Sequence, residues 1–305
     1  MAEIIGTDGT WTFDGGVLRI VPGHGRGVHR LRRLLGELAI PLEGLAGVAV
    51  ESGPKGGVVR ARLRQGADPL LQAAAGALNE SSDPYRLNVE GSRTSVAEYL
   101  VDEVRNSLLI EEVGNGPVDR YLLPGPDVPI RASGGDGSAA FDGESVRLEW
   151  NWMAETAKKN AGPQQLPLRE IASVELHPAI GLDNGHLRFR MNDGAEEAEP
   201  TLDPRCVMLW GFKKEAAAAI ALAAAVVARL PHPNAVDSLP NAVERAAVER
   251  PADDDATSPP EPGTTPADDH DALLRRLREL GDLRKEGILT EEEFAAAKQA
   301  VLRRM

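Results

Sequence analysis

Leu166-Pro167-Leu168-Arg169-Glu170-Ile171-Ala172-Ser173-Val174-Glu175-Leu176 repeats an earlier stretch of the same chain, Ile40-Pro41-Leu42-Glu43-Gly44-Leu45-Ala46-Gly47-Val48-Ala49-Val50. Both open on an aliphatic-Pro-Leu step and then alternate apolar with polar or small residues. A period of two predicts a strand half-buried against a core, with Pro at its first residue, where no ladder donor is needed. The flanks repeat as well. Phe13-Asp14-Gly15 recurs as Phe141-Asp142-Gly143, Arg60-x-Arg62 as Arg188-x-Arg190, and Asp83-Pro84 as Asp203-Pro204. The matches keep their order, which is the mark of a tandem duplication.

Each copy reads as several strands followed by one helix. Asp14-Gly15 and Asp142-Gly143 sit between β-rich runs and predict hairpins. Strands are expected at 40–50, 58–64 and 85–89, and again at 146–152, 166–176, 186–191 and 205–210. Residues 22–35 and 153–162 read as loops, the first with a turn of helix in its second half. Leu70 to Leu78 suits a short helix. Ser92 or Ser95 is the expected cap of a helix that presents Val96, Tyr99, Leu100, Val104 and Leu108 on one face. Glu215 to Leu230 is the corresponding helix of the second copy.

From Pro231 the composition turns to Pro and acid. Of the net charge of −13, −8 falls within residues 235–271, so the acidity describes a connecting segment and no site. Such a segment predicts a disordered, self-repelling linker. Apolar periodicity returns at Asp271. Leu273, Leu274, Leu277, Leu280 and Leu283 follow helical spacing, Gly287 breaks the helix, and Thr290 to Glu293 form a capping box before Phe294, Ala297 and Val301. The expected organisation is therefore α+β: repeats over 1–115 and 130–231, a linker over 232–269 and an αα-hairpin over 270–305.

The composition narrows the function classes. A single Cys206 cannot make an intramolecular disulfide and fits a reducing, cytoplasmic setting. Met1 to Ile5 carry no basic, apolar leader pattern. The longest apolar run, Ala216 to Ala228, is thirteen residues, and a membrane span needs about 20. The six His show no zinc-helix spacing, and His24 and His29 read as solvated loop residues, so no metal is expected. The acidic clusters at 253–255 and 268–271 lack calcium-loop spacing. Gly23 to Gly27 lacks the Lys-Ser/Thr of a phosphate loop, and no Ser, Cys or Thr stands in a nucleophile motif. Neither a cofactor nor catalysis is expected. Trp150 and Trp152, two apart, read as core or as the joint between repeats.

The extreme C-terminus, Leu277-x-x-Leu280 to Leu283-x-x-x-Gly287-Ile288-Leu289-Thr290-x-Glu292-Glu293-Phe294-x-x-x-Lys298, closely resembles the short C-terminal domain called SHOCT. That resemblance implies an appended bacterial module that mediates oligomerisation or partner contact and has no activity of its own. The duplicated unit resembles domain-of-unknown-function family 4429, through Phe-Asp-Gly, the aliphatic-Pro-Leu step and the closing helix. It implies a pleckstrin-homology-like fold, a bent antiparallel sheet of seven strands with a C-terminal helix. The periodicity alone yields fewer strands than seven, and the missing ones would have to fall within residues 22–39, 66–82 and 153–163.

Residues 19–64 hold nine Lys or Arg against three Glu. In pleckstrin-homology-like folds anionic head groups dock at the first hairpin loop, which here would carry Arg26, Arg30, Arg32 and Arg33. The leading expectation is a non-enzymatic interaction or scaffold protein. Its repeats would bind a protein partner, and its C-terminal hairpin would self-associate through Leu273, Leu277, Leu280, Phe294 and Val301. The alternative is a peripheral adaptor binding anionic lipid or phosphate through the basic loop, with weak membrane-surface contact. Nucleic acid is not an expected partner.

Overall fold

The computed structural model describes residues 1–53, 56–179, 183–195 and 198–235. The expected linker beyond 235, the C-terminal hairpin and the residues proposed there for self-association lie outside the described residues.

The first repeat begins with strands β1 (Ala2–Ile5), β2 (Gly9–Phe13) and β3 (Val17–Pro22), then helix α1 (Arg30–Leu35) and strand β4 (Leu38–Pro41). Strands β5 (Leu45–Gly53) and β6 (Gly56–Leu63), helix α2 (Pro69–Ala74), strand β7 (Arg86–Glu90) and helix α3 (Thr94–Ile110) complete it. The second repeat has β8 (Ile130–Ser133), β9 (Gly137–Phe141), β10 (Ser145–Trp150), α4 (Thr156–Ala161) and β11 (Gln164–Pro167). It continues with β12 (Ile171–His177), β13 (Gly185–Met191), β14 (Cys206–Leu209) and α5 (Lys213–Val227). All pairing is antiparallel. Each repeat has a four-stranded sheet, β1-β2-β3-β4 or β8-β9-β10-β11, and a three-stranded one, β5-β6-β7 or β12-β13-β14. The fold is α+β, with four antiparallel sheets and few helices.

Both expected hairpins form. Asp14 Oδ1 accepts hydrogen bonds from the N–H groups of Gly16 and Val17, and Asp142 Oδ1 does the same for Glu144 and Ser145. The long strand expected at 40–50 is instead two strands in two sheets. Pro41 ends β4, a single 3-10 turn occupies Leu42–Gly44, and β5 starts at Leu45. Pro167 and the turn Leu168–Glu170 divide 166–176 in the same way. Pro is tolerated at these positions because β4 and β11 are edge strands, and its fixed φ suits entry into the turn. The turn keeps Leu42 and Leu45 both buried, so the apolar pattern runs on while the chain changes sheets. This division, together with β1 and β8, accounts for the seven strands in each repeat.

Helix α3 starts at Thr94, between the two expected caps. Its N-cap is Arg93, which makes no side-chain cap bond, and Thr94 Oγ1 donates to the Gly91 carbonyl, so neither Ser92 nor Ser95 caps it. Its buried face is Ala97, Leu100, Val101 and Val104, whereas Val96 and Tyr99 are exposed. The 153–162 loop contains α4. Trp152 lies beyond the end of β10 and is 81% exposed, so it shares no core position with Trp150.

The two repeats share one core. Helix α5 is the joint. It packs on β8, β9 and β12 of its own repeat and on α1 and α2 of the first. Residues 219–227 are buried on every side, which is why this helix is nearly all Ala and Val with no polar stripe. A Cβ at Gly125 would lie 2.3 Å from Ala228 Cβ, so the connection between repeats also lies directly on this helix. His232 and Asn234, expected in the linker, pack on the first repeat. Asn234 Nδ2 donates to the Val118 carbonyl, and the His232 ring meets Tyr121 edge-on at 4.7 Å. No helix among the described residues is long and apolar enough to cross a membrane.

Candidate functional site

Three places gather side chains that could bind something. The first is the basic segment before β4. In α1, Arg30 and Arg33 are one turn apart and exposed, as is Arg26 in the preceding loop. No ion pair among the described residues uses these three. Arg32 does not join them. The helical turn that carries Arg30 and Arg33 outward carries Leu31 and Arg32 inward, and Arg32 is 3% exposed with Nη1 2.6 Å from Asp8 Oδ2. Asp8 Oδ1 accepts from the Asn88 N–H, and its Oδ2 also accepts from Asn88 Nδ2.

The second repeat builds the same device. Lys158 Nζ is 2.5 Å from Asp136 Oδ2 and donates to the Cys206 carbonyl, while Asp136 Oδ1 accepts from the Met208 N–H. A buried charge must be paired and hydrogen-bonded to be tolerated. Arg32 and Lys158 are therefore structural, and Arg32 leaves the expected anion contacts. The signal was present as a recurring Gly-x-Asp-Gly, at 6–9 and 134–137, with a cation at 32 and at 158. The leading glycine is needed for close approach: a Cβ at Gly6 or at Gly134 would lie 2.4 Å from a carbonyl oxygen of β7 or β14.

The second place is a cleft of about 620 Å³ between β5 and α3. Four consecutive residues, Ala46 to Ala49, line it. β5 is an edge strand, and a β-bulge between Leu45 and Gly47 interrupts the alternation of faces at the start of this run. Leu108, Leu109 and Val113 form the far wall, and Arg60, Arg62 and Arg105 supply positive charge. Arg105 Nε donates to the Val48 carbonyl. Arg60 is balanced by Glu51 and Glu80, each at 3.4 Å, whereas Arg62 is exposed and has no ion pair among the described residues.

In the second repeat the elements corresponding to β5 and α3 are β12 and α5, and α2 of the first repeat packs against both. The α5 side of this place is thus occupied in the second repeat by a piece of the chain itself, while Ala172, Ser173, Arg188 and Arg190, the counterparts of Ala46, Gly47, Arg60 and Arg62, still line a cleft of about 550 Å³. The alternation of Arg60, Arg62 and Arg64 was legible in the sequence; that Arg60 and Arg62 border this cleft, while Arg64 donates to the Gly116 and Glu43 carbonyls, was not.

The third place is the outward face of β12 and β13. His177 pairs directly across from His186, and Glu175 precedes His177 by two residues. The two imidazoles stack with centroids 4.6 Å apart, and His177 Nε2 is 2.5 Å from Glu175 Oε1. Burial works to raise the Glu175 carboxyl, but hydrogen bonds from His177 and Arg190 outweigh it and hold the group below its ordinary range. Burial, helped by the nearby His177 and Arg188, pushes His186 below its ordinary value.

Two seven-stranded units joined through a shared helix define a tandem-repeat α+β protein. The family model described as Domain of unknown function (DUF4429) matches residues 11–105 and 139–227, and the chain belongs to that family. A second model, Short C-terminal domain (SHOCT), matches residues 275–302. No curated protein matches the chain.

Proposed function

We propose that this is a non-enzymatic, cytoplasmic interaction protein whose first repeat binds an extended segment of a partner protein along the open edge of β5. The observation that carries this reading is the cleft beside the edge strand β5, walled by Leu108, Leu109 and Val113 and bordered by Arg62 and Arg105; in the second repeat α2 packs against the corresponding β12 and α5. An edge strand offers unpaired backbone groups, and adding a strand to it is a recurring mode of peptide recognition. The groove's chemistry selects the ligand. Leu108, Leu109 and Val113 would receive apolar side chains, and Arg62 and Arg105 would face carboxylates. The expected ligand is an extended segment alternating acidic and aliphatic residues. Seven strands and one closing helix in each repeat support the pleckstrin-homology-like assignment. The C-terminal segment, which carries Leu273, Leu277 and Leu280, would assemble copies and so raise the avidity of weak contacts.

Synthetic dodecapeptides alternating Glu with Val or Leu, and Lys-for-Glu counterparts, test the groove by fluorescence anisotropy on the full chain. Binding of the acidic peptides, weakened by salt and lost in Arg62→Glu and Leu109→Asp, is the expected result. Equal binding of both peptide sets, or wild-type binding by both variants, would overturn it.

A second reading rests on Arg26, Arg30 and Arg33, exposed around α1 without an acidic partner among the described residues. It gives these three an anionic lipid surface or a phosphate as ligand. Anionic vesicles at low salt should then retain the wild type and release a variant with all three changed to Ala.

A further inference from the structure

We propose that Glu175, His177 and His186 form a binding site for a borderline divalent metal ion, of the class of Zn²⁺, Ni²⁺ or Cu²⁺. Nothing in the unit's fold requires this trio. Residues directly opposite across an antiparallel pair bring their Cβ atoms to about 4.5–5.5 Å, and side chains two apart on one strand share a face. His177 and His186 have the first relation and Glu175 and His177 the second. As a result, one donor atom from each of the three lies within 4.8 Å of the others.

The individual side chains fit a ligand role. His186 Nε2 is shut off from solvent and makes no hydrogen bond among the described residues, and an unsatisfied ring nitrogen costs free energy that a metal bond would remove. His177 is the exposed member, so its ring can turn from Glu175 toward an ion. Glu175 is held from behind: Arg190 donates to its Oε2 through Nη2 at 3.0 Å and Nε at 3.2 Å. That leaves Oε1, the oxygen facing His177, for coordination. Such outer contacts orient metal-ligating carboxylates, and this one also offsets part of the Arg190 charge. Two imidazoles and one carboxylate suit borderline ions with an open position for water. Ca²⁺ and Mg²⁺ prefer all-oxygen sets.

The site belongs to the second repeat alone. Aligned on the strand register, Glu175, His177 and His186 correspond to Ala49, Glu51 and Val58 in the first repeat, a set with no imidazole. One ion per chain is therefore expected at this place.

The test is calorimetric titration of the chelator-treated full chain with ZnCl₂ and with NiCl₂, and with CaCl₂ as a hard-ion comparison. One saturable equivalent of Zn²⁺ or Ni²⁺ is expected. It should be lost in His177→Gln and in His186→Gln and kept in a His24→Gln, His29→Gln double variant. His177 is exposed, so His177→Gln should keep the wild-type melting temperature without metal and lose the metal-induced rise. Absence of a saturable equivalent in the wild type, its persistence in His177→Gln, its loss in the His24 and His29 variant, or equal binding of Ca²⁺ would each overturn the proposal.

Discussion

Lys158 Nζ lies 2.5 Å from Asp136 Oδ2 in a fully buried position, and Arg32 stands in the same relation to Asp8. Each pair ties the helix before the fourth strand to the turn between the first two strands. Through the aspartate's other oxygen it also reaches the backbone of the seventh strand. Removing one partner would leave an uncompensated charge indoors, which costs about 3–5 kcal/mol. Lys158→Ala should lower unfolding stability by that amount, read from the urea midpoint. Asp136→Asn with Lys158→Met should recover part of the loss, because Asn can still accept the Met208 N–H. A loss below about 1 kcal/mol, the range of an exposed pair, would contradict this role.

The same pair shows where sequence reading stops. The duplication, both Asp-Gly hairpins and the closing helices were legible because each is local or repeats. The change of sheet at Leu42 and Leu168 was not, because a 3-10 turn preserves the apolar spacing that signals a continuing strand. Arg32 looked like its neighbours in a basic loop, and only the partner 24 residues away tells it from Arg30 and Arg33. His177 and His186 come together through strand register, which no spacing rule for helices could detect.

Cys206 gives a direct check on the burial of β14. Burial pushes its thiol up to about 12, and the nearby cations only partly oppose this. The thiolate is the reactive form. A disulfide reagent near pH 8 should therefore label the folded chain slowly and take up one equivalent per chain at once in denaturant. Fast labelling of the folded protein would show that β14 opens.

The C-terminal segment should drive self-association. Leu273, Leu277 and Leu280 recur at helical spacing, and Phe294, Ala297 and Val301 do so again after Gly287. Fully burying one Leu contributes roughly 1.5–3 kcal/mol. Light scattering after size exclusion should give a multiple of the chain mass for the full protein. A chain ending at Pro266, and the full chain with Leu277→Asp, should give the monomer mass. One shared monomeric mass for all three would remove this segment as the cause.

The two closing helices have diverged in a way that reports their surroundings. Aligned on Asp83 and Asp203, Tyr99, Asp102 and Asn106 of α3 stand where α5 has Ala219, Leu222 and Val226. In α3 these positions are exposed; in α5 they are enclosed by α1 and α2 of the first repeat. Exchanging residues between the helices therefore predicts opposite outcomes. Ala219→Tyr forces an aromatic ring into a fully buried position, and overpacking of that size should cost about 3 kcal/mol, the upper end for a packed core. Tyr99→Ala removes a ring that is 54% exposed and should change stability by no more than about 0.5 kcal/mol. Thermal unfolding of the two variants beside the wild type measures both. Equal losses would mean that α3 and α5 sit in equivalent environments, and that α5 is not the helix that fuses the repeats.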